Sequence, residues 1–86
     1  MKLENWKKPA GYYCQRELPE SLTVEAIKAA LPGIKKGGPS KDGKSDHEFR
    51  FLANGEQCAI WRWKGGSWSS YGPERVFVQL GLLPAE

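Results

Sequence analysis

Eighty-six residues with thirteen Lys and Arg against ten Asp and Glu, a net charge of +3, make a single small domain. A chain this short buries only ~60–65% of its unfolded surface, and its mild positive charge permits contact with a polyanion without demanding one. No apolar run nears the ~20 residues of a membrane span. Met1 to Pro9 lack the apolar centre of a signal peptide, and two isolated cysteines with one histidine fall short of a structural zinc site. The expectation is a cytoplasmic protein with no metal, no cofactor and no membrane association.

Residues 1–18 read as an N-terminal arm. Pro9 and Gly11 break any helix there, and Tyr12-Tyr13-Cys14 suits a short edge strand or a segment packed across a sheet. Trp6 is expected to anchor the arm; the other reading is an exposed aromatic used in binding. Thr23 to Leu31 is a helix, with Thr23 as cap, Glu25 in the first turn, and Leu31-Pro32-Gly33 as the stop. Val24, Ile27 and Leu31 recur at helical spacing with Ala30 alongside, so that stripe faces a core while Lys28 points outward. Residues 34–46 are rich in Gly, Pro, Ser and Lys and are expected to form a flexible basic surface loop.

Glu48 to Tyr71 carries the strongest pattern. Asn54-Gly55 is the pair that most favours a type I′ hairpin, and Gly65-Gly66 offers a second tight turn. Two such turns predict a three-stranded antiparallel meander. The first turn pairs Ala53 with Glu56, Phe51 with Cys58, Arg50 with Ala59, Phe49 with Ile60 and Glu48 with Trp61. The second, as a two-residue loop, pairs Lys64 with Ser67, Trp63 with Trp68, Trp61 with Ser70 and Ile60 with Tyr71. Opposed and alternate residues share a face. Phe49, Phe51, Cys58, Ile60 and Tyr71 then form one face, and Arg50, Leu52, Trp61, Trp63 and Trp68 the other. A one-residue bulge in either hairpin would move part of this set across the sheet. Beyond it, Pro73-Glu74 opens a helix with Val76, Phe77 and Leu80 as its stripe, Gly81 as its end, and Leu82 and Leu83 tucked back. The competing reading of Arg75 to Leu80 is a fourth strand. The fold class is α+β, a three-stranded antiparallel meander packed with two short helices.

Gly38 to Ser45 matches the phosphate-loop pattern of two glycines five positions apart followed by Lys and Ser. That chemistry needs a parallel strand before the loop and a helix opening at Lys44-Ser45. Here a helix precedes and an alternating strand pattern follows, so coincidence in a Gly/Lys-rich loop is the better explanation. His47 is expected to face solvent at a strand start, and the serines and carboxylates form no triad or acid/base pair. No enzyme is expected. Cys58 falls on the core face; both cysteines are expected to be reduced and buried, a disulfide between them being left open.

The remaining signal is the face holding Arg50, Trp61, Trp63 and Trp68. If exposed, its indoles could stack unpaired bases for ~1–3 kcal/mol each, with Arg50 adding a phosphate or cation–π contact. Lys35, Lys36, Lys41 and Lys44 could reach backbone phosphates from the adjacent loop. A non-catalytic module that binds nucleic acid is therefore the leading expectation. The alternative is an inhibitor or accessory factor of phage or mobile-element type, occluding a larger protein through a Trp/Arg hot spot. The plain alternative to both is that the tryptophans form a second core layer.

Overall fold

The computed structural model describes residues 2–6, 14–37, 45–63 and 66–84, and of Lys36, Gly37, Ser45, Asp46 and Trp63 the backbone alone. In chain order the elements are β1 (Leu3–Asn5), β2 (Arg16–Glu17), α1 (Val24–Ala30), β3 (Lys36–Gly37), β4 (Ser45–Ala53), β5 (Glu56–Trp63), β6 (Trp68–Tyr71) and α2 (Glu74–Gln79).

The β4–β5 hairpin has the register its turn dictates. Asn54 and Gly55 both take positive φ, 51° and 85°, as a type I′ turn requires. Pairing runs from Ala53 and Glu56 through Phe51 and Cys58 to Glu48 and Trp61, then on to His47 and Arg62, with an irregularity between Ser45 and His47. β6 pairs antiparallel with β5, so β4, β5 and β6 run as a meander, though not in the register expected for the second turn and not as the whole sheet.

The meander is the centre of a larger antiparallel sheet, ordered β1-β4-β5-β6-β2 with β3 also on β4. The three added strands are two or three residues long and mostly polar, so no alternation announces them. β1 and β3 share the outer edge of β4 end to end, opposite Phe51–Ala53 and Glu48–Phe49 respectively. Asn5 joins these two short strands. Its Nδ2 donates to the Gly33 carbonyl at 3.1 Å, and its Oδ1 accepts from the Lys35 backbone N–H at 2.9 Å.

Both helices serve one face. Ile27 and Leu31 of the α1 region, and Val76 and Phe77 of α2, join Phe49, Phe51, Cys58, Ile60 and Trp68 in a single buried cluster with Leu18 and Leu82. Thr23 caps α1 as its sequence predicts, its Oγ1 accepting from the Ala26 N–H at 3.1 Å. Thr23→Ala is expected to lower the unfolding free energy by about 1 kcal/mol in urea denaturation. Residues 75–79 are helical rather than a fourth strand. α2 ends in a Schellman closure at Gly81, φ 79°: the Gly81 N–H donates to Val78 and the Leu82 N–H to Phe77. Among the described residues no helix is long and apolar enough to cross a membrane.

Candidate nucleic-acid interface

The second hairpin closes one residue away from the expected register, and this rearranges the tryptophans. Arg62, not Trp63, lies opposite Trp68; Trp61 pairs with Ser69, Ile60 with Ser70 and Ala59 with Tyr71. Five residues separate Trp68 from its partner Arg62, where four would have separated it from the expected partner Trp63. Because strand side chains alternate, the slip sends Trp68 to the core face and Tyr71 to the opposite one. Trp61 remains on the second face. The predicted platform of Arg50, Trp61, Trp63 and Trp68 is therefore not assembled.

Trp68 is 2% exposed and belongs to the helix-covered core. Its indole N–H donates to the Leu22 carbonyl at 2.9 Å, just ahead of α1. Buried indoles keep a partner for that N–H, and this register supplies one. Trp61, 4% exposed, forms a second cluster with Trp6 and Ala59, with Leu52 and Tyr71 packed against it. Trp6 stacks on Tyr71, ring centroids 6.4 Å apart, and Ala59, opposite Tyr71 in the sheet, belongs to the same cluster. The anchoring role expected for Trp6 is what the structure has, and a second, smaller core layer is what becomes of Trp61.

The other candidate residues separate as well. Arg50 is half-buried on the second face, its Nε 3.4 Å from Glu48 Oε1 on the same strand. Lys35 is exposed just before β3. Lys36 lies in β3 opposite Phe49. Lys41 and Lys44 lie outside the described residues, as do Tyr12 and Tyr13, and nothing is described of the Lys36 and Trp63 side chains. The segment with the phosphate-loop pattern runs between β3 and β4, an antiparallel pair, so its described flanks are not those of a nucleotide-binding loop.

His47 corrects another expectation. It is half-buried on the core face, paired with Arg62, and its ring stacks on Trp68 with centroids 6.0 Å apart. The Arg62 guanidinium carbon lies 5.4 Å from the centroid of the same indole. One row across three strands thus reads His47, Arg62, Trp68. Glu20, Arg62, Gly66, Ser67 and Trp68 line a groove of ≈ 330 Å³ beside it. Sequence reasoning missed this row because it depends on the register of the second hairpin.

Electrostatics single out one region. Among the described residues Arg16 pairs with Glu74 at 2.9 Å, Arg75 with Glu56 at 2.5 Å and Lys2 with Glu4 at 3.0 Å. Such exposed pairs stabilise by only ~0–1 kcal/mol each, but they do neutralise their surroundings. Lys35 to Lys44 holds four lysines and one aspartate, a net +3 that equals the charge of the whole chain; the other nine basic and nine acidic groups cancel.

Cys14 and Cys58 are both free thiols; Cys58 is buried and Cys14, against expectation, is exposed. Burial, with the Glu56 carboxylate adding to it, pushes the Cys58 thiol up from 9.0 to about 11. A raised pKa leaves the thiol protonated through neutral pH, and its contribution to stability is lost as pH climbs from 9 towards 11. Ellman's reagent at pH 8 is expected to titrate one thiol quickly in the native protein and two after denaturation; two fast thiols in the native state would contradict this burial. No group of three or more His, Cys, Asp or Glu suited to a metal ion occurs among the described residues. Comparison of the chain with family models, with curated proteins and with solved structures finds no match.

Proposed function

We propose that this protein is a non-catalytic binding module whose partner is nucleic acid, contacted mainly through backbone phosphates by Lys35, Lys36, Lys41 and Lys44. The observation that carries the reading is the charge distribution. The whole net charge of +3 is matched by the ten residues from Lys35 to Lys44, while Arg16, Arg50 and Arg75 each sit beside a carboxylate. β3 and the Asn5 hydrogen bonds hold the start of this segment against the sheet, and β4 receives its end. Base stacking on Trp61 and Trp68 is not part of the proposal, because both are buried. The same burial weakens the alternative of a protein-occluding factor, which relied on those indoles as hot-spot anchors.

Phosphate contacts predict a steep salt dependence. For four contacts, log K is expected to fall with log[salt] at a slope of roughly −3 to −4, measured by fluorescence anisotropy of a labelled oligonucleotide. Each of Lys35→Ala, Lys36→Ala, Lys41→Ala and Lys44→Ala is expected to reduce that slope by about 1. Absence of binding at low salt, or a slope near zero, would remove the nucleic-acid reading.

A further inference from the structure

The geometry points to the groove lined by Glu20, Arg62, Gly66, Ser67 and Trp68 as the place where this protein grips a phosphodiester group, an assignment that rests on the nucleic-acid reading above. Along β5 the core-facing positions run Cys58, Ile60, Arg62: two apolar positions sealed from water, then a half-buried arginine. An arginine that ends a buried row beside a groove needs a physical reason.

Part of that reason is Trp68. With its carbon 5.4 Å from the ring centroid, the guanidinium lies over an indole that is itself locked by the Leu22 hydrogen bond. His47 packs against the same ring. A guanidinium stacked on a fixed aromatic loses little further freedom when its N–H edge forks to a pair of phosphate oxygens. Lysine, a point charge on a flexible stem, gains no such advantage.

The groove walls suit the same ligand. Ser67 offers a hydroxyl, and Gly66 offers backbone without a side chain in the way. A volume of ≈ 330 Å³ is at the lower end for ligand pockets and has room for one phosphodiester group. Position connects it to the lysines: Ser45, which follows Lys44 directly, pairs with Trp63, and the next pair along these strands is His47 with Arg62. The groove thus borders the end of the β4–β5 hairpin at which the chain enters β4. Glu20, exposed at the rim, opposes an anion and supplies a test of sign.

The experiment is a titration of the ¹⁵N-labelled full chain with a single-stranded thymidylate hexamer, followed by NMR, with binding constants of variants from anisotropy. The Arg62 Nε–H and the Gly66 and Ser67 amides are expected to shift and saturate together. Arg62→Lys should weaken binding about tenfold with charge unchanged, and Glu20→Gln should strengthen it about two- to threefold. The Trp68 indole resonance reports whether Arg62→Lys keeps its core. Should it not, Ser67→Ala and Glu20→Gln, which leave the core alone, decide by weakening and strengthening binding respectively. Salt-dependent binding that ignores Arg62, Ser67 and Glu20, with shifts confined to residues near Lys35, would overturn the groove and leave the lysine reading standing. The same groove shifts with inorganic phosphate but not with the hexamer would reassign it to a small anion. No binding and no shifts would sink both.

Discussion

Trp68→Ala is expected to lower the unfolding free energy by about 3–5 kcal/mol, the range for deleting a buried large aromatic. A domain of this size holds only roughly 4–13 kcal/mol in total, so the loss is a quarter or more of the whole and would partly unfold a protein at the lower end of that range at 25 °C. Three losses combine. The indole leaves a cavity among Phe49, Phe51, Ile60 and the residues of both helices. The Leu22 carbonyl loses its donor, and Arg62 and His47 lose the ring they pack on. Trp68→Phe separates the terms, keeping most of the apolar volume while deleting the hydrogen bond, and should cost about 1–3 kcal/mol. Urea denaturation followed by far-UV circular dichroism measures both. Equal stability of Trp68→Ala and wild type would place this side chain outside the core. The same expectation has a practical consequence: loss of nucleic-acid binding in Trp68→Ala would report unfolding, not a lost base contact.

Gly72→Ala should be nearly as damaging, at about 2–4 kcal/mol, for reasons of backbone and space together. Gly72 takes φ 124°, which residues with a Cβ rarely adopt, and a Cβ there would sit 2.8 Å from the Cys58 sulfur and 3.1 Å from the Gln57 carbonyl oxygen. Its N–H donates to Gln15 Oε1, so the turn into α2 is held from the β2 side as well. Gly81→Ala is the control: φ is also positive, at 79°, but nothing lies within 4 Å of the added carbon, and about 1 kcal/mol is expected. In a Cys58→Ala background the Gly72→Ala cost should shrink by roughly 0.5–1 kcal/mol, because the closest clash is with that sulfur. Identical costs for the two glycines in thermal melts would show that space around Cys58 plays no part.

Legibility follows how local each decision is. Asn54-Gly55 sets its own φ values, and the register of seven pairs, from Ala53 with Glu56 to His47 with Arg62, follows from that one turn. Thr23 and Gly81 mark helix ends through hydrogen bonds within a few residues. The stripes of Ile27 with Leu31 and of Val76 with Phe77 likewise identify their buried faces without reference to anything distant. Gly65-Gly66 looks like the same kind of signal as Asn54-Gly55, yet it did not set its hairpin. Nor do Lys36-Gly37 or Arg16-Glu17 look like strands; they become strands because β4 and β6 have edges to pair. The exposure of the tryptophans belonged to this second kind of question throughout.

The sequence by itself determined the first hairpin, both helices, the caps and the concentration of positive charge between Lys35 and Lys44. Only the tertiary structure decided which face Trp68 occupies, and with it the row of His47, Arg62 and Trp68 that borders the groove. Magnitudes explain the difference. Lengthening the connection between these strands from two residues to four costs about 0.6 kcal/mol in closure entropy. Moving an indole of roughly 150–250 Å² out of water is worth several times that at ~25 cal/mol per Å². A local turn preference of that size yields when a large aromatic can reach a core and a carbonyl partner. The segment 46 residues away that leads into α1 supplied the carbonyl, Leu22 accepting from the indole, and the helix-covered cluster supplied the core.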